Sequence, residues 1–193
     1  MDRLSLELNG TWFELQLADE LTRRFPDCII LHDLNLHSFY LSMWKNRNTD
    51  TQVDLILITP YKIYVIEAKK WGFEISGSRD DADWVGRANG NLTIRQKSPI
   101  NQNLMHLREL KNLVRRYYHE KLPEFSGYVC VPNGTRIVSN CEEVVTASSL
   151  FFRIRSELNG YKSGRKTPSM LIDASHWEAI IANALRNDSK RKY

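Results

Sequence analysis

The sequence predicts an α/β sandwich in which helices cover a central mixed β-sheet. An apolar stripe at helical spacing over residues 10–25 predicts a first helix, and strand-like segments follow it up to residue 96. A second long amphipathic segment, residues 99–120, precedes one more strand-like run. The order helix, strands, helix, strand is typical of a sheet that buries its two faces under helices.

The first helix is predicted from four apolar residues that recur at intervals of one turn. These are Leu17, Ala18, Leu21 and Phe25. Asn9 or Thr11 precedes the stripe, and both residue types can accept a hydrogen bond from the first free N–H groups of a helix. We therefore expect the helix to begin at about residue 10.

Segments rich in aliphatic, β-branched and aromatic residues predict the strands. They cover residues 28–34, 52–59, 63–69 and 72–77, with about two more within residues 84–96. A turn at residues 60–62 separates the second and third segments, so these two are expected to form a hairpin.

The second half of the sheet follows the longest predicted helix. Ser98 is placed to cap that helix and Pro99 to occupy its first position. The apolar face is assigned to Ile100, Leu104, Leu107, Val114 and Tyr118. A strand over residues 127–132 comes next, and a helix over residues 174–185 precedes a basic tail at residues 186–193.

Length and composition predict one domain over residues 1–193. Apolar residues make up 42% of the chain, and no run approaches the roughly 18 apolar residues of a membrane span. Acids stand near the N terminus where a signal peptide would have a basic start. The three cysteines are widely spaced, without a C-x-x-C pair. We expect a cytoplasmic protein without a membrane partner.

The formal net charge of +4 is unevenly distributed, which leaves two interpretations open. Residues 1–50 carry eight acids and five bases, whereas residues 151–193 carry nine bases and four acids. A basic C-terminal quarter is suited to binding phosphates of a nucleic acid. It is equally typical of a solvated surface that keeps a protein dispersed.

Three acids and one lysine interrupt the apolar pattern of the predicted elements. Glu14 lies on the helix face that carries the apolar stripe, and Asp54 stands inside an otherwise aliphatic strand. Glu67 ends the next apolar run, and Lys69, two residues later, points to the same side. Because a buried charge costs several kcal/mol unless it is paired or bound to a metal, the cluster requires an explanation.

Two explanations fit these residues. In the first, Lys69 neutralises Asp54 or Glu67 in a structural ion-pair network. In the second, Asp54 and Glu67 converge on a hard cation such as Mg²⁺ or Mn²⁺, and Glu14 binds the same ion or a second one. A cation beside a lysine is suited to phosphodiester hydrolysis, because it lowers the pKa of a bound water and neutralises phosphoryl oxygens.

The motifs around these residues resemble a known family, the nuclease-related domain, or NERD, of the PD-(D/E)xK nuclease superfamily. The resemblance covers residues 10–115, and residues 116–193 are expected to complete the fold. The matching segments are Thr51-Gln52-Val53-Asp54, Tyr64-Val65-Ile66-Glu67-Ala68-Lys69-Lys70-Trp71-Gly72, Ile75-Ser76-Gly77 with Trp84, and Ser98-Pro99-Ile100-Asn101-Gln102-Asn103.

The resemblance implies a restriction-endonuclease-like sandwich with an αβββαβ core. It implies catalytic roles for Asp54, Glu67, Lys69 and Gln102, and a Mg²⁺ or Mn²⁺ site at Asp54, Glu67 and Glu14. The activity it implies is metal-dependent hydrolysis of DNA, with RNA as the alternative substrate. The alternative is a catalytically silent nucleic-acid-binding or signalling module that keeps the nuclease fold.

A second set of residues is predicted to contact nucleic acid. It consists of Lys70, Trp71, Arg108, Lys111 and Arg115. Arginines and lysines along the long helix can line a groove for DNA, and tryptophans can stack on unpaired bases. A solvated helix face and a partly buried aromatic residue explain the same pattern.

Overall fold

The computed structural model describes residues 3–38, 49–88, 92–118 and 121–190. The helices in these ranges are α1 (Arg3–Arg24), α2 (Pro99–Tyr117), α3 (Ala147–Lys162) and α4 (Ala174–Lys190). The strands are β1 (Ile29–Ser38), β2 (Thr49–Ile58), β3 (Ile63–Ala68), β4 (Glu74–Ser76), β5 (Asp83–Ala88), β6 (Leu92–Lys97), β7 (Phe125–Val131), β8 (Arg136–Val138) and β9 (Val144–Thr146).

The main sheet has the strand order β1-β2-β3-β7-β9. Strands β1, β2 and β3 pair antiparallel as a meander, and β3, β7 and β9 pair parallel. The helix α2 connects the meander side to β7, as a parallel pairing requires a crossover. The predicted mixed sheet and the αβββαβ order are therefore confirmed.

Four short strands form a second sheet with the order β6-β5-β4-β8. Strands β4, β5 and β6 pair antiparallel, and β8 pairs parallel to β4. The sequence pattern predicts about three of these strands but does not show that they form a sheet of their own. One face of this sheet packs on the main body through Ile75 and Trp84, which are 1% and 0% exposed.

Helices cover both faces of the main sheet. Helices α1 and α3 pack on one face, where Leu17, Leu21, Leu55, Tyr64 and Leu150 are buried together. Helices α2 and α4 pack on the other, where Val53, Ile56, Val65, Leu110 and Ile181 are buried. Both faces of the main sheet are therefore buried.

The helix α2 begins at the predicted cap, because Ser98 accepts a hydrogen bond from the Asn101 amide at 3.3 Å.

The same helix packs against the parallel strands through one polar side chain, Asn103, and one glycine, Gly127. The Asn103 amide donates to the Val65 and Tyr128 carbonyls and so joins β3 to β7. A Cβ at Gly127 would lie only 2.9 Å from the Asn103 side chain, so the close approach needs glycine.

Three predicted details are wrong. The first helix begins at Arg3 rather than at residue 10, so neither Asn9 nor Thr11 caps it. Leu104 is 49% exposed, because Asn103 and His106 occupy the face of α2 that meets the sheet. The last helix continues through the first part of the predicted basic tail to Lys190, and residues 191–193 lie outside the described residues.

No helix within the described ranges is long and apolar enough to cross a bilayer.

Candidate active site

Two of the predicted acids lie next to each other because β2 and β3 form a hairpin. Leu55 pairs with Ile66, so Asp54 and Glu67 come next along their strands. Asp54 is 8% exposed and Glu67 is completely buried. The hairpin therefore places two carboxyl groups together at the end of the β2–β3 pairing that lies away from the turn.

The side-chain alternation of β2 breaks at Asp54. Val53 and Ile56 belong to the same core cluster although they are three residues apart, a spacing that puts side chains on opposite faces of a regular strand. Opposite this point Asp33 has a φ of +55°, and its pairing with Asp54 is missing from an otherwise continuous register. The kink explains how one polar residue fits into an apolar strand.

Lys69 lies just beyond the end of β3 and pairs with Glu67. Its ammonium contacts Glu67 Oε1, and its side chain is only 17% exposed. Burial opposes the charge on Lys69, but the carboxylates of Glu67 and Asp54 outweigh it and raise the pKa of the lysine. Lys69 is therefore a fixed positive charge among acids.

His106, on α2, is the site residue that sequence reasoning missed. It is completely buried, its Nδ1 lies 3.0 Å from Glu67 Oε2, and its Nε2 lies 2.7 Å from the Thr51 hydroxyl. Burial opposes ionisation of Glu67, yet His106 and Lys69 together lower its pKa. The signal in the sequence was a spacing of three between Asn103 and His106, which put two polar residues on one helix face.

Asp54 has the opposite electrostatic environment. Its Oδ2 accepts a hydrogen bond from the Ala68 amide at 2.8 Å. Burial, followed by the negative charge of Glu67, raises the pKa of Asp54 to about 8, although Lys69 opposes this shift. At neutral pH Asp54 therefore holds a proton unless another cation approaches.

Glu14 completes the acidic cluster from the opposite side. It lies on α1, is half-buried, and its pKa is raised mainly by burial. The positive charge of Lys69 lowers the pKa of Glu14, whereas the negative charge of Glu67 raises it further. Three carboxyl groups thus share one lysine, and the cluster has more acid than its own cations neutralise.

Comparison with known proteins identifies the family of the chain. The family model of the nuclease-related domain matches residues 9–132, which is more than half of the chain and reaches through β7. The chain belongs to the nuclease-related domain family. No curated protein and no solved structure matches it significantly. The match confirms the predicted family and extends 17 residues beyond the predicted limit of residue 115.

A divalent cation is implied by the NERD family, and the donor chemistry of the site fits one. Both carboxylate oxygens of Glu67 are buried without a well-angled hydrogen bond, and Asp54 gains most from an added positive charge. Carboxylate oxygens are the ligands that Mg²⁺ and Mn²⁺ prefer. In the described part of the chain, however, no three His, Cys, Asp or Glu side chains converge as a ready-made metal site.

Gln102 is not brought to the acidic cluster of this NERD domain. It is half-buried in the first turn of α2, and among the described contacts none joins its side chain to Asp54, Glu67 or Lys69. The side chain that reaches Glu67 from α2 is His106, one turn later. The catalytic role of Gln102 stays a prediction.

The residues predicted to contact nucleic acid are spread over two regions. Lys70 lies 5.1 Å from the ring centre of the exposed Trp12, and Trp71 packs partly buried against the core under the second sheet. On α2 Arg108 approaches Glu109, and Lys111 lies 5.4 Å from the Phe125 ring centre. Arg115 is exposed about 20 Å along the helix from Gln102. Their role in binding stays a prediction.

The raised pKa of Asp54 predicts how stability depends on pH. The unfolded carboxyl has a pKa of 3.8 and the folded one about 8, so the folded state binds a proton that the unfolded state releases. This contribution is complete below pH 3.8 and is lost as the pH rises through 8. Chemical unfolding of metal-free protein should show the loss, on the order of 4 kcal/mol between about pH 5 and pH 9.

The Asp54→Asn variant is the matched control for that measurement, because its amide has no proton to lose. Its stability should fall less over the same range, and the difference from wild type isolates Asp54 from the other acids. Equal pH dependence of the two proteins would contradict the raised pKa.

Proposed function

We propose that this protein is a divalent-metal-dependent nuclease that hydrolyses phosphodiester bonds in DNA. The observation that carries the proposal is the cluster of the buried Asp54 and Glu67 and the half-buried Glu14 around Lys69, in a chain of the nuclease-related domain family. Ionisation of all three acids is costly without a further cation, as the raised pKa of Asp54 indicates. A bound cation offsets that cost.

Asp54, Glu67 and Glu14 are the residues that would hold Mg²⁺ or Mn²⁺. When bound, the ion lowers the pKa of a water and neutralises the phosphoryl oxygens. Asp54 must lose its proton to become a ligand, so its affinity for a cation increases with pH. His106 and Lys69 hold the Glu67 carboxylate in its ionised form from two sides.

Lys69 is the residue that acts on the reacting groups in this proposal. It keeps its proton because carboxylates surround it, so it orients an attacking water or offsets charge that develops on the phosphate. Its side chain is 17% exposed, so part of it faces solvent beside the acids.

A second candidate, a nucleic-acid-binding module without turnover, is favoured by one observation. Both Glu67 oxygens already face partners, Lys69 and His106, and the described residues hold no preassembled three-ligand cluster. Such a protein would bind DNA and leave it intact.

The test is cleavage of supercoiled plasmid and linear duplex DNA with Mg²⁺, with Mn²⁺ and with EDTA. We expect metal-dependent cleavage by the wild type and at least a hundredfold slower cleavage by Lys69→Met, which keeps the length of the side chain without its charge. Lys162→Met, on an exposed side chain at the end of α3, is the control and should cleave normally.

The outcomes separate the two candidates. Cleavage that persists in EDTA, or in Lys69→Met at the wild-type rate, overturns the proposed nuclease site. Binding of the same DNA without cleavage under any metal condition favours the silent module.

A further inference from the structure

We infer that the outward face of the second sheet binds the phosphate backbone of duplex DNA. This inference rests on the proposed function and adds a substrate surface to it. The face consists of the side chains that point away from the core on β4, β5, β6 and β8, and we call it the basic sheet face. Its charged members are Glu74, Asp83, Arg87, Arg95, Lys97 and Arg136.

The strand register places these side chains on one surface. Arg87 pairs with Glu74 across β5 and β4, and Glu74 pairs with Arg136 across β4 and β8. On the other side, Val85 pairs with Arg95 and Asp83 with Lys97. Because side chains two residues apart share a face of a strand, the four cations lie on the same side of the sheet.

The face carries an excess of positive charge. Arg87 Nε and Arg136 Nη1 each lie 3.4 Å from the Glu74 carboxylate, so two exposed cations share one acid. Glu74 itself is 6% exposed. Lys97 lies 3.7 Å from Asp83, and its side chain is 88% exposed. Arg95 is exposed as well, so four cations face solvent against two acids.

The spacing of the cations suits several phosphates at once. Neighbouring strands are about 4.8 Å apart and side chains on one face of a strand about 6.6 Å apart, so Arg136 and Arg95 lie about 16 Å from each other. Duplex DNA carries one negative charge for about every 1.7 Å of its axis. A face of this width therefore meets several phosphates of one duplex.

The basic sheet face starts close to the candidate active site. Phe73, four residues after Lys69, donates a backbone hydrogen bond to the Arg87 carbonyl at 2.8 Å. Its own carbonyl accepts from the Arg136 amide at 2.7 Å. Gly72 packs against the Arg87 backbone with no room for a Cβ. The segment that carries Lys69 thus leads directly into the row of Arg87 and Arg136.

The basic C-terminal quarter is less suited to this role, because several of its cations already have partners within the protein. Arg153 donates to the Glu142 carbonyl at 2.8 Å, and Arg155 lies 5.9 Å from the Phe25 ring centre. Lys166 lies 3.3 Å from Glu157. These contacts place them around α3 rather than beside Lys69.

The test is equilibrium binding of a fluorescein-labelled duplex DNA in EDTA, by fluorescence anisotropy at several salt concentrations. The variant is Arg95→Gln/Arg136→Gln, which leaves Arg87 to neutralise Glu74. We expect binding about tenfold weaker than wild type and a slope of log K against log salt that is shallower by about 1.8. Thermal unfolding verifies that the variant is folded.

The matched control is Lys162→Gln/Arg165→Gln, which also removes two exposed positive charges but near the end of α3. It should bind within twofold of wild type and keep the salt slope. An equal loss in both double variants, or no loss in the first, overturns the inference.

The measurement separates this inference from the proposed function, since EDTA prevents metal-dependent cleavage. If the wild type binds and only the Arg95/Arg136 variant loses affinity, the basic sheet face is supported even where no cleavage is seen with metals. If the wild type does not bind duplex DNA, the inference and the proposed substrate both fail.

Discussion

The Asp54→Asn variant is expected to lose metal-dependent cleavage by about a thousandfold while it stays folded. The substitution removes the carboxylate that gains most from a cation, and electrostatic stabilisation of a phosphoryl transition state depends on that cation. The asparagine Oδ1 can still accept the hydrogen bond from the Ala68 amide, so the local backbone contact is kept. The measurement is the rate of plasmid nicking at saturating Mn²⁺.

Asp19→Asn is the control for this prediction. Asp19 lies on α1, its side chain is 72% exposed, and it pairs with Arg23 rather than with a residue of the acidic cluster. Its cleavage rate should stay within about twofold of wild type, as is usual for an exposed residue outside the site. A calorimetric titration with Mn²⁺ adds a readout apart from activity, in which Asp54→Asn should bind the ion more weakly than Asp19→Asn. Equal rates and equal affinities would contradict the role of Asp54.

Much of this fold was predictable from the sequence because local patterns and long-range packing agree. The stripe of Leu17 and Leu21 is buried as predicted, and the aliphatic β2 is a central strand of the main sheet. Asp54, Glu67 and Lys69 stood out because charges in apolar segments are costly and therefore rare. The proximity of these residues was also predictable, because a short turn between two strands determines that the strands pair as a hairpin.

The parts that were not predictable depend on contacts between distant segments. The break in side-chain alternation at Asp54 was not predictable, because the residues of β2 on both faces of the sheet are aliphatic and no change of pattern marks the break. The second sheet also contains β8, which pairs with β4 from some sixty residues later in the chain. No local pattern encodes that partner.

His106 escaped prediction for a related physical reason. On a helix, polar residues at a spacing of three normally indicate the solvated face, and Leu104 then belongs to the buried one. Here the sheet presents carbonyls and a carboxylate to α2, so Asn103 and His106 are buried and Leu104 is exposed. The spacing of Asn103 and His106 does not by itself distinguish a solvated helix face from a face that packs against a polar surface.

We expect His106→Ala to lower both stability and cleavage. The substitution leaves a cavity where a completely buried ring stood and removes one of the two partners of the buried Glu67 carboxylate. Cavity formation and a weakened buried charge pair together predict a loss of about 3 kcal/mol in the free energy of unfolding. His106 also orients the proposed metal ligand Glu67. Removal of a residue that orients a metal ligand typically lowers activity by about 10- to 100-fold, and we expect a decrease of that size in cleavage rate.

His106→Gln separates the two effects, because its amide group can replace one ring nitrogen but not both. Thr51 and Glu67 lie on opposite nitrogens of the ring, so a glutamine that reaches Glu67 gives up Thr51. This variant should regain most of the cleavage lost by His106→Ala if orientation of Glu67 is what matters. If packing is what matters, it should regain stability without activity. Wild-type cleavage in His106→Ala, once it is shown to be folded, would remove His106 from the site and leave Lys69 as the sole partner of Glu67 within the described residues.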